Sequence, residues 1–316
     1  MKVLANDGIS QSGVDALQDA GFEVITTKVA QEQLVNYINE NTIDVLLVRS
    51  ATKVRQPLID ACPDLKLIGR GGVGMDNIDV EYAKEKGVHV INTPASSSAS
   101  VAELVFAHLY NGVRFLYDAN RNMPLDGDSK FGDLKKAYAK GVELRGKTLG
   151  ILGFGRIGQA TAKVALGAGM KVIYHDPYIE NTEVLLDFYD GQQVTFRLKS
   201  ISKEEVLKKA DFVTLHVPAQ KEYVIGKKEL EMMKDGAGLV NAARGGVVDE
   251  VALIEALENK KLAFAGLDVF ENEPKPDIKV LMNPNVSLSP HIGAATNEAQ
   301  DRIGVELATQ IKSLLS

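Results

Sequence analysis

The sequence predicts an α/β protein built from two doubly wound parallel sheets. Short apolar, β-branched runs recur along the chain, and segments with helical periodicity separate them. Strands that alternate with helices form parallel βαβ units. The runs are apolar on both faces, which is typical of strands covered by helices on each side. Because 316 residues exceed the usual size of one domain, we expect two.

The first block of alternating elements occupies the first hundred residues. Its predicted strands are Lys2–Ala5, Glu23–Ile25, Val45–Val48, Leu67–Ile68 and Val88–Ile91. Amphipathic stretches between them predict helices at Gln11–Ala20, Gln31–Asn39 and Val80–Lys86.

A second block follows a long predicted helix, Ser98–Asn120, and a less regular segment, Asn122–Val142. Its predicted strands are Thr148–Leu152, Lys171–Tyr174, Phe212–Leu215, Leu239–Asn241, Phe264–Asp268 and Val286–Leu288. The last helical segment, Asn297–Leu315, has no sheet of its own and is expected to pack on the first block. The first domain would then be discontinuous, at 1–97 and 291–316, with residues 98–290 inserted into it.

Composition excludes several classes of function. The formal charge of −6 offers no basic field for a nucleic acid backbone, and tryptophan is absent. The single cysteine, Cys62, forms no internal disulfide and no metal cluster, so we expect a packing role. The early polar residues do not resemble a signal peptide, and no apolar run approaches the roughly 20 residues that span a bilayer. We therefore expect a cytoplasmic protein.

The most informative single motif is Gly153-Phe154-Gly155-Arg156-Ile157-Gly158. It follows an apolar strand and opens a helical pattern, Gln159–Leu166, which is the context of a dinucleotide-binding turn. The first glycine permits the tight turn, the second admits a pyrophosphate, and the third lets the helix pack on the strand. The free N–H groups at the helix start favour phosphate.

A carboxylate stands where such a site needs one for the adenosine ribose. Asp176 ends the next strand, 18 residues after Gly158, and no basic residue follows it directly. Its oxygens suit the ribose hydroxyls of NAD and would repel the 2′-phosphate of NADP. The alternative interpretation is that Asp176 only caps the turn.

Three ionisable residues after later strands are candidates for chemistry. Arg244 stands in a glycine turn, where a guanidinium could hold a carboxylate by two parallel hydrogen bonds. His291 lies between Pro290 and Gly293, and Glu273 also follows a strand. A carboxylate beside the imidazole would fix its tautomer, and His291 could then move the proton that accompanies a hydride. A surface arginine and a structural histidine are the alternatives.

His216 competes with His291 for the proton-transfer role. It also follows a strand, but Pro218 comes directly after Val217 and favours a turn that lines the cofactor. His89, His108 and His175 have no comparable setting and are interpreted as structural.

Together these motifs resemble the D-isomer-specific 2-hydroxyacid dehydrogenase family. The resemblance runs from about residue 45 to 295 and rests on the segments above together with Leu47–Val54, Ile68–Asp79, Asn92–Pro94 and Ala102–Leu104. It implies a flavodoxin-like substrate-binding domain with an inserted Rossmann NAD-binding domain. It further implies that Arg244 binds the substrate carboxylate and that Glu273 supports His291 as the general acid/base.

The resemblance also implies a set of cofactor contacts. Arg156 and Ile157 would meet the pyrophosphate and Val217 the adenine side. Ala242, Asp268 and the turn from His291 through Gly293 to Ala294 would flank the nicotinamide.

Within the family, the chain is most similar to enzymes that use D-3-phosphoglycerate, in a first step of L-serine synthesis. The residues implied for substrate are Arg49, Ser50, Arg70, Gly72, Val73 and Gly74. Val73 departs from the threonine that many relatives carry, so that only a backbone contact would remain there. Lys135, Lys136 and Lys140 could add positive charge across a homodimer.

The chain stops at Ser316 and resembles the short form of these enzymes, for which no added regulatory domain is expected. A glyoxylate or hydroxypyruvate reductase on the same scaffold is the first alternative. A non-catalytic NAD-sensing co-repressor is a more distant one.

Overall fold

The computed structural model describes residues 1–315 of the chain. Over that range the chain forms two compact units, residues 1–100 with 294–315 and residues 101–293. The first unit is therefore discontinuous in sequence and the second is inserted into it. Each unit is built around its own parallel sheet.

The first unit contains a five-stranded parallel sheet in the order β2-β1-β3-β4-β5. The strands are β1 (Lys2–Ala5), β2 (Glu23–Ile25), β3 (Val45–Val48), β4 (Leu67–Arg70) and β5 (His89–Asn92). Helices cover the sheet at α1 (Gln11–Asp19), α2 (Leu34–Glu40), α3 (Gln56–Ala61) and α4 (Val80–Glu85). This is the flavodoxin-like strand order, with its switch point between β1 and β3.

The second unit contains a six-stranded parallel sheet. In sheet order its strands are β7 (Lys171–His175), β6 (Thr148–Leu152), β10 (Phe212–Leu215), β11 (Ala237–Asn241), β12 (Leu262–Leu267) and β13 (Val286–Leu288). Its helices are α5 (Ser98–Arg114), α6 (Leu116–Asp126), α7 (Phe131–Ala137), α8 (Arg156–Gly167), α9 (Lys203–Lys209), α10 (Lys227–Met232), α11 (Glu250–Glu258) and α12 (Ile278–Met282). The order reverses between β6 and β10, which is where a doubly wound sheet opens its ligand crevice. The predicted α/β architecture of two parallel sheets is confirmed.

The last helix, α13 (Asn297–Leu315), belongs to the first unit and packs against α1. Gly13 and Gly304 let the two backbones touch, because a Cβ on Gly13 would lie 2.6 Å from the Gly304 Cα atom. Ile303 and Leu307 complete an apolar cluster with Val3 and other buried strand residues. This helix therefore closes one face of the first sheet.

Three parts of the structure differ from the sequence predictions. The sequence predicts a less regular segment over Asn122–Val142, but this segment contains the end of α6 and all of α7. The single helix predicted over Ser98–Asn120 is wrong, because Phe115 takes a left-handed conformation with φ 55° and separates α5 from α6. A hairpin, β8 (Asn181–Asp187) and β9 (Gln193–Lys199), was also missed. Only Val184 and Leu186 of its strands are buried and most of the other residues are exposed, so the strands lack the continuous apolar runs that marked the sheet strands.

Cys62 is buried in the core of the first unit, and this burial raises the pKa of its thiol. None of the helices described over residues 1–315 is both long enough and apolar enough to cross a membrane.

Candidate active site

The glycine turn after β6 presents an open helix N-terminus. Gly153 has φ 88°, and a side chain on Gly158 would collide with the Gly153 carbonyl oxygen, so neither position accepts another residue easily. A Cβ on Gly155 would meet no atom within 4 Å. Gly155 is also the N-cap of α8 and gives the helix no side-chain cap. The first helical N–H groups therefore face open space that a phosphate could fill.

Asp176 follows β7 and fixes the same turn. Its Oδ2 accepts a 2.6 Å hydrogen bond from the backbone N–H of Phe154, and its Oδ1 accepts from Tyr178 and Ile179. A carboxylate has about four acceptor sites, so these three bonds leave capacity for a ribose hydroxyl. The turn-capping role considered from the sequence is thus present, and it is compatible with a cofactor contact.

His216 follows β10 and its ring nitrogens are buried. Its Nε2 lies 3.1 Å from Thr161 Oγ1 and 3.2 Å from Thr214 Oγ1, while its Nδ1 has no partner among the described residues. Burial lowers the pKa of His216 to about 3, so the imidazole is neutral near pH 7. Such a group does not exchange a proton readily at neutral pH. This geometry favours His291 over His216 for proton transfer.

Arg244 lies in the turn after β11. Asn241 holds this turn by donating to the Arg244 carbonyl and accepting from the Ala243 N–H. The Arg244 guanidinium is half-buried and donates to the Ala243 carbonyl at 2.6 Å. A side chain on Gly245 would collide with the Phe270 carbonyl, so the turn packs closely on the chain after β12.

Glu273 and His291 form a hydrogen-bonded pair in the second unit. The Nδ1 of His291 lies 2.8 Å from Glu273 Oε2, and Glu273 Oε1 accepts from the Phe270 N–H. A carboxylate only accepts, so the His291 Nδ1 carries the proton and Nε2 presents a lone pair. Both side chains remain partly exposed. The pair lines a pocket of about 380 Å³ with Phe270, Leu288 and Pro290.

Asp268 holds the turn that carries His291. It is buried, and its two oxygens accept from the backbone N–H groups of Ile292 and Gly293, each at 2.8 Å. His291 itself has φ 55°, which is costly for a residue with a Cβ. The two hydrogen bonds from the N–H groups directly after His291 therefore stabilise a backbone conformation that this residue would not adopt alone.

Two arginines of the first unit follow adjacent strands. Arg49 comes directly after β3, and Arg70 ends β4, where it pairs in register with Val48. The Arg70 guanidinium lies over Gly72, since a Cβ there would collide with it. Asn77 links both, accepting from Arg70 Nε at 3.4 Å and donating to the Arg49 carbonyl at 2.8 Å. The carboxyl ends of β3 and β4 thus carry two guanidinium groups.

The loop from Gly72 to Gly74 stands beside these arginines. Its first carbonyl accepts from the Thr93 N–H, and the Val73 carbonyl accepts from Asn92 Nδ2 at 2.7 Å. The Val73 side chain is exposed. The carbonyls of Gly72 and Val73 therefore accept hydrogen bonds from within the first unit.

The remaining candidates occupy varied positions. Ser50, Arg156, Pro218 and the three lysines Lys135, Lys136 and Lys140 are exposed, whereas Ile157, Val217 and Ala294 are half-buried and Ala242 is buried. Val217 Cγ1 would lie 3.0 Å from a Cβ on Gly153, so the turn after β10 lies next to the glycine turn. Ala294 belongs to the first unit, where its carbonyl accepts from Gln300.

The sequence analysis missed one residue that organises the arginine site. Asp7, just after β1, accepts from the Arg49 N–H at 2.7 Å and from the Thr52 N–H and hydroxyl. It stands at the switch point of the first sheet, and the strand-end rule used for the other candidates would have selected it.

Comparison with known proteins identifies relatives of the whole chain. A family model described as "D-isomer specific 2-hydroxyacid dehydrogenase, NAD binding domain" matches residues 106–293. A D-3-phosphoglycerate dehydrogenase of Methanocaldococcus jannaschii is 42% identical over an alignment of 317 positions, which covers 100% of this chain and 57% of that protein. The chain thus spans little more than half the length of that relative.

Two further relatives cover the chain from end to end. A hydroxypyruvate reductase of Thermotoga maritima is 42% identical and matches 98% of this chain and 97% of that protein. The crystal structure of a glyoxylate reductase from Paecilomyes thermophila superposes with a TM-score of 0.81 at 30% identity, covering 99% of this chain and 94% of that one.

Proposed function

Because the chain belongs to the D-isomer specific 2-hydroxyacid dehydrogenase family, we propose that it interconverts a small D-2-hydroxy acid and its 2-oxo acid with NAD. The observation that supports this most directly is the Glu273–His291 pair at 2.8 Å, in the same unit as the glycine turn. The Nε2 atom of His291 is the type of group that carries a proton in such a reaction.

The proposed reaction needs one proton carrier and one carboxylate anchor. In oxidation, His291 Nε2 takes the proton of the C2 hydroxyl as the C2 hydride leaves and the carbonyl forms. Bound NAD supplies the hydride acceptor. Glu273 stabilises the imidazolium through Nδ1, and Arg244 holds the substrate carboxylate. In reduction, the same imidazolium returns the proton to the carbonyl oxygen.

The second unit has the features that a dinucleotide requires. The open space around the Gly155 Cα atom and the uncapped start of α8 suit the pyrophosphate. The Asp176 carboxylate suits the ribose hydroxyls and disfavours a 2′-phosphate. We therefore propose NAD rather than NADP as the cofactor.

The catalytic assignment is tested with His291→Gln and Glu273→Gln. We expect His291→Gln to lower kcat by at least about 100-fold, within the usual contribution of general acid/base catalysis, with little change in the NADH Kd. The exposed His89 provides a matched control, His89→Gln, which should leave kcat unchanged. A non-catalytic, NAD-sensing protein would show no turnover in the wild type and unchanged NADH binding in every variant.

For the substrate we propose D-3-phosphoglycerate, oxidised to 3-phosphohydroxypyruvate in the first step of L-serine synthesis. The support is the pair of guanidinium groups at the ends of β3 and β4, which suits a dianionic phosphate better than a hydroxyl. The alternative is a hydroxypyruvate or glyoxylate reductase, favoured by the relative from Thermotoga maritima that matches over nearly its full length.

These two substrates are separated by initial rates of NADH formation with D-3-phosphoglycerate and D-glycerate, and of NADH oxidation with hydroxypyruvate and glyoxylate. A preference for the phosphorylated acid that disappears in Arg49→Met or Arg70→Met supports the phosphate site. Arg55→Met is the matched control, because Arg55 is an exposed arginine of the same unit that is bonded to Asp79. Equal rates with the unphosphorylated acids would favour the reductase.

We further propose that the protein is a homodimer. The segment of α6 and α7 exposes large apolar side chains, including Leu116, Leu125 and Phe131, which is typical of a covered surface. Light scattering after gel filtration should give a molar mass twice that of one chain. In Leu125→Glu the molar mass should fall to that of a single chain.

A further inference from the structure

A network of hydrogen-bonded polar side chains runs through the core of the second unit. It contains a histidine, His108, that has no part in the proposed reaction. His108 on α5 is buried, with Nδ1 2.8 Å from Ser287 Oγ and Nε2 2.9 Å from Ser289 Oγ. Ser289 donates to Asp268 Oδ1 at 2.6 Å, and Asn111 Nδ2 donates to Ser287 at 2.6 Å. This polar network therefore joins α5 to Asp268 through Ser287, the middle residue of β13, and Ser289, the residue that follows that strand.

The direction of every hydrogen bond in this polar network can be assigned. The Asp268 carboxylate only accepts, so the Ser289 hydroxyl proton points to it. Ser289 must then accept from His108, which places the ring proton on Nε2. The bare Nδ1 accepts from Ser287, and Ser287 accepts from Asn111. Each group donates toward the carboxylate, an arrangement in which successive bonds polarise one another.

The surroundings keep His108 in this neutral form. Desolvation lowers the pKa of His108, and the charge of Asp268 opposes this only in part. The neighbouring strand makes room for the ring, because a Cβ on Gly266 would lie 2.6 Å from His108 Cβ. A buried imidazole with both nitrogens satisfied is a specific arrangement that an apolar side chain would not reproduce.

At its other end, the polar network reaches the turn that carries His291, the residue proposed to transfer the proton. Asp268 accepts from the N–H groups of Ile292 and Gly293, which follow His291 at φ 55°. We propose that His108 is a positioning residue for His291: through Ser289 it fixes the Asp268 carboxylate, which holds the left-handed turn that aims the imidazole. The expected effect on kcat rests on the proposed function. The expected effect on the turn after His291 rests on the geometry alone.

The kinetic test compares His108→Leu with His108→Gln. Leucine fills the space without a donor, whereas the Gln amide can still donate to Ser289 from near the position of Nε2. We expect His108→Leu to lower kcat on the order of tenfold, since a displacement of about 1 Å in a catalytic group can cost roughly 100-fold, with less than a twofold change in the NADH Kd. His108→Gln should recover most of the rate.

A matched control separates positioning from loss of packing. Val105 is buried on the same helix and lies outside the polar network, so Val105→Ala should lower Tm but leave kcat unchanged. In a double-variant cycle, His108→Leu combined with Ser289→Ala should lose no more rate than Ser289→Ala alone. A His108→Leu variant that lowers Tm like Val105→Ala but keeps wild-type kcat would overturn the proposal.

A structural measurement tests the same inference without any turnover. Backbone amide hydrogen exchange at Ile292 and Gly293 should be at least tenfold faster in His108→Leu than in wild type or Val105→Ala. Unchanged exchange at both amides would overturn the positioning role. If the wild type turns over no 2-hydroxy acid but exchange responds as expected, the proposed function fails while the positioning role stands.

Discussion

The buried imidazole of His216 should make the second unit sensitive to acid. Its pKa of about 3 in the folded protein lies below the value of 6.5 for an unperturbed histidine. As pH falls below 6.5, the unfolded state takes up a proton that the folded state does not. The contribution of His216 to stability is therefore complete above pH 6.5 and is lost progressively as pH falls toward 3.

The size of this effect follows from the pKa difference. Proton linkage gives a loss of about 2 kcal/mol at pH 5 and about 4 kcal/mol at pH 3, at about 1.4 kcal/mol per pKa unit. His216→Gln removes the titrating ring and keeps a donor near Thr161 and Thr214. Between pH 7.5 and 5 the free energy of unfolding should therefore fall by about 2 kcal/mol less in the variant than in wild type.

Urea unfolding of both proteins at pH 7.5, 6 and 5 measures this difference. His108 titrates in the same direction but is present in both proteins, so its contribution cancels. Parallel pH dependence in wild type and His216→Gln would refute the reasoning. So would an NMR titration in which the His216 ring takes up its proton near pH 6.5.

Three further substitutions test the glycine turn and its carboxylate, and a labelling experiment tests the core of the first unit. Gly155→Ala should cost at most about 1 kcal/mol of stability and weaken NAD binding, because its Cβ enters the open space at the helix start. Gly158→Ala should destabilise the fold itself, because its Cβ collides with the Gly153 carbonyl; equal melting temperatures for the two variants would contradict this. Asp176→Ala should lose about 1–3 kcal/mol of stability, because the partly buried N–H groups of Phe154 and Ile179 lose their acceptor, and it should also weaken NAD binding; normal NAD affinity would leave only the capping role. Cys62 should react with Ellman's reagent only after urea unfolding, and rapid labelling of the native protein would contradict its burial.

The parallel sheets were predictable because their strands are continuous apolar runs. Val45–Val48 and Thr148–Leu152 were placed at the bounds that the structure gives. The hairpin β8–β9 lies outside that pattern, since most of its side chains face solvent. Its Asp190-Gly191 turn, with Gly191 at φ 85°, is the local signal that could have revealed it.

The candidate site was predictable only as far as strand ends could locate it. Arg244, Glu273 and His291 each follow a strand, and a search for ionisable residues after predicted strands selects them as candidates. The role of His108 could not be found in this way, because its partners Ser287 and Ser289 lie 179 and 181 residues away. A histidine inside an apolar helix looks the same whether or not such partners exist.

The closing of the first sheet by α13 has a consequence for synthesis on the ribosome. Val3, Leu47 and Leu67 are made early, but the residues that cover them, such as Ile303 and Leu307, are made more than 230 residues after Leu67. At translation rates of about 5–20 residues per second this interval lasts roughly 10–50 s. The inserted unit can fold during that time, while the nascent first unit keeps an apolar face uncovered. A chaperone that recognises apolar surface therefore has its longest access to this protein at the amino-terminal block, before the last helix emerges.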